Sequence, residues 1–235
     1  MAKYRYIRHR TIQTNMKFLF SFLTLLLSVA FFVTGIVYLI ARTFGQIAWN
    51  PESKAFKRML ENLRRRLKTQ SAELVPWDHE MLGLLSMNKV NEKKPGWLNP
   101  VSSGQYTTIY HEPVLAYITQ TAGKVRVTVA RTSNREFIFR EKGKETEIWL
   151  DGQPFGLYTE GALLAPGKGS KLMARLDDRP DETQSPLILG NNPALTLGNR
   201  ERASSPNPRV LTLLRELSPE EENTALALAV LRLIN

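Results

Sequence analysis

Residues 18–41 run for 24 positions without a charged side chain, between Lys17 and Arg42. An α-helix rises about 1.5 Å per residue, so a run of this length crosses the roughly 30 Å hydrocarbon layer of a bilayer with some tilt. A secretory signal has a shorter apolar core, about 7–15 residues, followed by a small-residue cleavage site. Here the run ends in Ile40-Ala41-Arg42-Thr43-Phe44, a poor cleavage site. The expectation is a retained, single-pass transmembrane helix over 18–41, with the lipid bilayer as its partner. Ser21, Ser28 and Gly35 recur every seven residues inside it, with Thr24 beside them. Small residues in line let a second helix approach, so this stripe is a candidate contact with other membrane-protein subunits. The same residues are common in lone spans, and the spacing is not GxxxG.

The formal charge of +10 belongs to the flanks of that run. Residues 1–70 hold 13 Lys/Arg and 2 Asp/Glu, while residues 71–235 hold 19 Lys/Arg and 20 Asp/Glu. A nucleic-acid-binding domain carries its basic patch on the folded body. The body here is nearly neutral, so no nucleic-acid partner is expected. Lys3, Arg5, Arg8, Arg10 and Lys17 precede the span, and no charged base lies between Arg42 and Lys54. By the positive-inside rule this leans towards a cytoplasmic N-terminus. The basic run 54–68 argues the other way, since it suits the anionic cytoplasmic leaflet. The side of the soluble domain stays open.

Asn50-Pro51-Glu52 has the residues of a helix start: a cap, a first-turn proline and a carboxylate for the dipole. Phe56, Met59, Leu60, Leu63 and Leu67 then fall on one helical face. Lys54, Lys57, Arg58, Arg64, Arg65 and Lys68 lie opposite, with Arg66 at the edge of the stripe. Such a basic amphipathic helix either rests on lipid headgroups or packs its stripe on the domain. All seven cations are therefore candidate membrane-surface contacts. Asp78 is a candidate cap for a short helix containing Met81, Leu82, Leu84 and Leu85. Residues 87–105, rich in Asn, Lys, Pro, Gly and Ser, read as a linker.

From about residue 105 the period changes to two. Val125, Val127 and Val129 alternate with Lys124, Arg126 and Thr128; Phe137 and Phe139 share a face, as do Thr146, Ile148 and Leu150. These are strands with one buried face. Tight-turn pairs separate them, Asp151-Gly152 most clearly, because both central residues of a type I′ turn need positive φ. About eleven strands are expected over 104–215, in an antiparallel meander that suggests a barrel or sandwich. Residues 177–185 and 199–208 are too polar to be strands.

Ser218-Pro219-Glu220-Glu221 begins a helix with a capping box and a proline in the first turn. Residues 225–231 then run seven positions without a polar side chain. They cover every side of the helix, so Leu226, Leu228, Val230 and Leu231 should all be buried. The segment is too short to span a bilayer. An all-round apolar helix after a β meander calls for a barrel to surround it.

Strands closed around a hydrophobic C-terminal helix resemble the tubby/scramblase/LURP-like superfamily. The likeness rests on Glu147-Ile148-Trp149-Leu150-Asp151-Gly152-Gln153-Pro154-Phe155-Gly156, on residues 186–198 (PLILGNNPALTLG), and on the helix 219–234. These stretches cover about half the chain and none is a specific motif. The resemblance implies a closed antiparallel barrel with the terminal helix threaded through it, and a role in lipid handling. The chain departs from the best-known members in its N-terminal anchor, in lacking a cysteine-rich palmitoylation stretch, and in lacking a calcium-type acidic loop.

Residues that carry chemistry are few. There is no cysteine. His9, His79 and His111 have no second ligand at metal spacing. Gly167-Lys168-Gly169-Ser170-Lys171 lacks the upstream glycine and following helix of a phosphate loop. Asp177, Asp178, Asp181 and Glu182 form an acidic loop without EF-hand spacing. No catalytic residue, cofactor or metal is expected. The reading is a basic tail over 1–17, a transmembrane helix over 18–41, juxtamembrane helices and linker over 42–103, and a mainly β, barrel-like domain over 104–235 with a core helix. Its expected role is non-enzymatic: lipid-headgroup binding, or service as an accessory subunit of a membrane assembly. The alternative is a membrane-anchored enzyme whose site is built from dispersed loops.

Overall fold

Twelve antiparallel strands follow one another around a single sheet in the computed structural model of the chain, each hydrogen-bonded to its neighbours in sequence. The structure describes residues 20–37, 50–77, 79–96, 100–167, 169, 171–179 and 181–235. The flanking cations Lys3, Arg5, Arg8, Arg10, Lys17 and Arg42 lie outside these residues. So do His9, the proposed cap Asp78, the ends of the apolar run, and Lys168 and Ser170 of the glycine-rich turn.

The chain divides into two compact units, Met1–Lys57 and Arg58–Asn235. In the first, Phe20–Val37 forms a helix, α1, of 18 residues with mean hydropathy 2.3. It is long and apolar enough to cross a membrane, a property that a signal sequence shares. A second helix, α2 (Lys54–Ser71), begins in this unit and continues into the other.

The second unit holds the strands β1 (Leu85–Lys93), β2 (Val101–Thr108), β3 (Pro113–Ala122), β4 (Val125–Arg131), β5 (Glu136–Lys142), β6 (Glu145–Leu150), β7 (Gln153–Thr159), β8 (Ala162–Leu164), β9 (Leu172–Leu176), β10 (Gln184–Leu189), β11 (Asn192–Gly198) and β12 (Leu211–Leu213). Eleven strands from β2 onward match the number expected, but β2 begins inside the segment read as a linker and β10 takes its first two residues from the loop read as too polar for a strand. β1 is additional: it occupies residues read as a linker, so the barrel begins about twenty residues earlier than expected. A 3-10 helix, His79–Leu84, leads into it.

The sheet nearly closes. Met87 N donates to Pro208 O (2.9 Å) and Val210 N donates to Leu85 O (2.8 Å), joining β1 to the segment that enters β12. Gly198 makes this seam possible, since a Cβ there would lie 2.7 Å from Arg209 O. At the Asp151-Gly152 turn both residues have positive φ (50° and 79°), as the hairpin signal requires.

A barrel of eight strands is filled by its own side chains, and a larger one leaves a lumen. Here the last helix, α3 (Pro219–Ile234), occupies it. Ala225, Ala227, Ala229 and Val230 have no exposed surface, and they share one buried cluster with Phe137, Phe139, Leu163 and Leu195 of the wall. The three alanines are small, which lets the wall approach the helix axis. Leu228 and Leu231 are each 3% exposed. Leu226 corrects the expectation: it packs against the same cluster but is only partly buried, although Ala225 and Ala227 on either side of it are fully buried. The capping box is present, with Ser218 Oγ accepting from Glu221 N and the Glu221 carboxylate accepting from Ser218 N.

β4 reverses a detail of the sequence pattern. Ala130 pairs with Phe137, and Phe137 with Leu150, along the row that faces the lumen. Val127 and Val129, read as the buried side, therefore point out of the barrel. They have no exposed surface nonetheless, and neither do their outward neighbours Ile118 and Ile138 beyond 3% and 4%. Something covers the outer wall.

Candidate functional surface

The cover is α2. Within the barrel unit its Leu63 and Leu67 are 2% and 1% exposed. Polar contacts fix where they lie. Arg64 reaches Glu136 of β5, with Nη2 2.5 Å from Oε1 and Nε 2.9 Å from the same atom. At the other end of the helix, Gln105 Nε2 of β2 donates to Gln70 O (2.8 Å), and Gln70 Nε2 donates to Ser103 Oγ (3.3 Å). Just past the helix, Val75 N donates to Pro113 O of β3 (2.8 Å). The apolar stripe thus lies across the outward faces of β2 to β5. Of the two destinations open to the stripe from sequence, the structure shows the sheet.

This packing sorts the seven candidate cations. Lys54, Lys57, Arg58, Arg65, Arg66 and Lys68 are exposed, whereas Arg64 is half-buried and turned to the wall by Glu136. A carboxylate on the barrel thus pairs with the Arg64 guanidinium. At 3.6 residues per turn, Arg58, Arg65 and Lys68 fall in an arc of about 80° opposite Leu63 and Leu67. Glu61 is the exposed carboxylate within it. The barrel therefore carries a ridge of cations on an outrigger helix whose Leu63 and Leu67 are already buried.

The α1 stripe shows the ordinary behaviour of hydroxyls in a helix. Thr24 Oγ1 donates to Phe20 O (2.7 Å) and Ser28 Oγ to Thr24 O (2.8 Å), each four residues back. Ser21 and Gly35 are exposed, and nothing lies within 4 Å of where a Gly35 Cβ would be.

One polar cluster was not anticipated. At the end of the lumen where α3 finishes, Lys89 Nζ lies 5.8 and 5.6 Å from the ring centres of Tyr106 and Tyr117. It is 3.7 Å from Glu92 Oε1. Burial, then the nearby Arg200, lowers the Lys89 ammonium from its ordinary pKa. Arg126 pairs with Glu141 and reaches Asn235 Oδ1. The last carbonyls of a helix lack partners and carry partial negative charge. Tyr106, whose hydroxyl donates to Leu233 O, satisfies one of them. The members come from the five strands β1 to β5 and the 3-10 turn Arg200–Arg202. Only register, which pairs Arg126 with Glu141, signals the grouping.

The remaining sequence candidates are accounted for by their partners. In the acidic loop, Arg179 pairs with Asp177 (2.8 Å) and Glu182 (3.1 Å), Arg232 with Asp178 (3.3 Å) and Arg202 with Asp181 (3.5 Å). Arginine guanidinium groups pair with all four carboxylates. His111 sits in a turn with φ 68°. Among the described residues no group of three or more His, Asp or Glu is placed to hold a metal. A shallow open groove of about 360 Å³, lined in part by Asn199, Ser204, Asn207 and Arg209, runs beside the seam.

No family model, curated protein or solved structure matches the chain.

Proposed function

We propose that this chain is a single-pass membrane protein whose barrel is a non-enzymatic interaction body, an accessory subunit of a membrane assembly. The observation that carries the reading is the filled lumen. A site for chemistry needs a cleft with converging polar groups, and α3 occupies the space where a barrel of this size would offer one. What is left for function is the outer surface of the barrel, in a chain that also carries a helix apolar enough to hold it in a bilayer. Helix in barrel also supports membership of the tubby/scramblase/LURP-like superfamily, and with it a role at lipid surfaces. The cations before the span favour a cytoplasmic N-terminus, the basic run 54–68 a cytoplasmic barrel, and the side of the barrel is open.

The test is extraction of membranes from cells expressing the full chain. Retention through a carbonate wash supports the anchor; release into the wash, or loss of residues 1–41 from the mature chain, refutes it. Protease protection of the barrel in sealed vesicles reads its side.

A further inference from the structure

We infer that the outward ridge of α2 is a docking surface for anionic lipid headgroups, which holds the barrel with its β2–β5 wall towards the bilayer. This deepens the membrane reading above and rests on the anchor. The argument begins with what the stripe has already done. Leu63 and Leu67 are buried on the sheet and Met59 and Leu60 are half-buried, so α2 keeps only a small apolar surface to insert among acyl chains. Contact with a bilayer must then be made mainly by charge, and the exposed side supplies it through Arg58, Arg65 and Lys68. Arg66 flanks the stripe and is also exposed.

Two features favour lipid over other polyanions. The residues beyond 70 are nearly neutral, with 19 Lys/Arg against 20 Asp/Glu, so the ridge is a local feature and not part of a basic body. A protein reading nucleic acid spreads cations over its fold and interleaves aromatic stacking platforms; the ridge holds neither. The chain between Val37 and Lys54 is 16 residues. At no more than about 3.6 Å per residue it reaches less than about 60 Å. A bilayer holding α1 therefore keeps the ridge at high effective concentration, and weak screened attractions suffice.

The experiment uses the full chain reconstituted in lipid nanodiscs of phosphatidylcholine, with and without phosphatidylserine. The chain has no cysteine, so Glu61→Cys gives a unique label within the ridge and Arg175→Cys one on β9, across the barrel. Both positions are exposed. Energy transfer to a headgroup-labelled lipid reads the distance. The ridge label should approach the bilayer in phosphatidylserine discs at low salt, and lose that gain at 1 M salt, where the Debye length falls from about 10 to about 3 Å. Arg58→Gln, Arg65→Gln and Lys68→Gln together should abolish the gain, and the Arg175 label should show none. A ridge label indifferent to lipid charge overturns the proposal, as does an Arg175 label that gains more. Movement of the ridge label on adding an acidic peptide, without any response to lipid, assigns the ridge to a protein partner and also overturns it. Carbonate retention with an indifferent ridge label leaves the anchor standing and removes only this inference.

Discussion

Tyr106 Oη, on the inner face of β2, donates its hydrogen to the carbonyl oxygen of Leu233 near the end of α3. The ring is wholly buried, and burial, then Tyr117, raises the phenol far above its ordinary pKa. The hydroxyl thus stays protonated and fastens the core helix to the wall. Tyr106→Phe keeps the packing but leaves the Leu233 carbonyl without this donor. A buried acceptor left unpaired costs about 1–3 kcal/mol. Denaturant melts of the variant should show a loss in that range.

The leucines of α3 are not equally buried, and their truncations should follow the difference. Leu228→Ala and Leu231→Ala each remove a side chain that is 3% exposed. Each should cost about 2–5 kcal/mol through lost transfer energy and the cavity left behind. Leu226→Ala, at the partly buried position, should cost clearly less. Chemical denaturation of the three variants gives the order, and a Leu226→Ala loss equal to the others would show a deeper entry of the helix than the structure has.

On the outer wall, the apolar seam and the ion pair should contribute unequally. Leu67 is 1% exposed, whereas the side chains of Arg64 and Glu136 are 40% and 17% exposed. A pair this open to solvent contributes about 0.2–1 kcal/mol, against about 2–5 kcal/mol for a buried leucine. Leu67→Ala should therefore loosen α2 far more than Arg64→Ala. Protease cutting within residues 58–71 reads the difference.

Glu221 completes the cap of α3 and titrates visibly. The Arg215 guanidinium, then the Ser218 backbone N–H, holds its carboxyl at about 2, below the ordinary 4.5. A lowered carboxyl contributes stability that is fully present above 4.5 and is lost as pH falls towards 2. Glu221→Gln keeps the hydrogen-bonding cap and removes the charge. The stability gap between native and variant chains should be small at neutral pH, under about 1 kcal/mol for so exposed a pair, and should close between pH 4.5 and 2. Thermal melts over that window check it.

How much of this was readable in the sequence depends on how many sides of each element are buried. α3 was legible because seven consecutive apolar residues leave no side for water. β5 was legible because Phe137 and Phe139 face the lumen while Glu136 and Arg140 face outward. β4 was half legible: its valines are buried as expected, but α2 buries the outer wall as the lumen buries the inner. Period two cannot say which side is which when both are dry. The destination of α2 was not legible, since a stripe at helical spacing fits a sheet and a bilayer alike. β1 was hidden by its composition and geometry. Its register with β2 shifts twice, Asn91 has φ 53°, and its outer half is polar and exposed. Such bulges and an inward lysine are how an edge strand avoids pairing with other chains, and they erase the alternation that marks a strand. The polar cluster around Lys89 was illegible, because it depends on that unseen strand.

The most direct test of the filled barrel is hydrogen exchange of the full chain, followed peptide by peptide. If α3 fills the lumen, the amides of residues 225–234 open only when the barrel does. They should exchange as slowly as those of β3 to β5, and at the same free energy as global unfolding. Exchange of α3 that runs ahead of the strands, through local opening of a helix resting on a surface, would contradict the account.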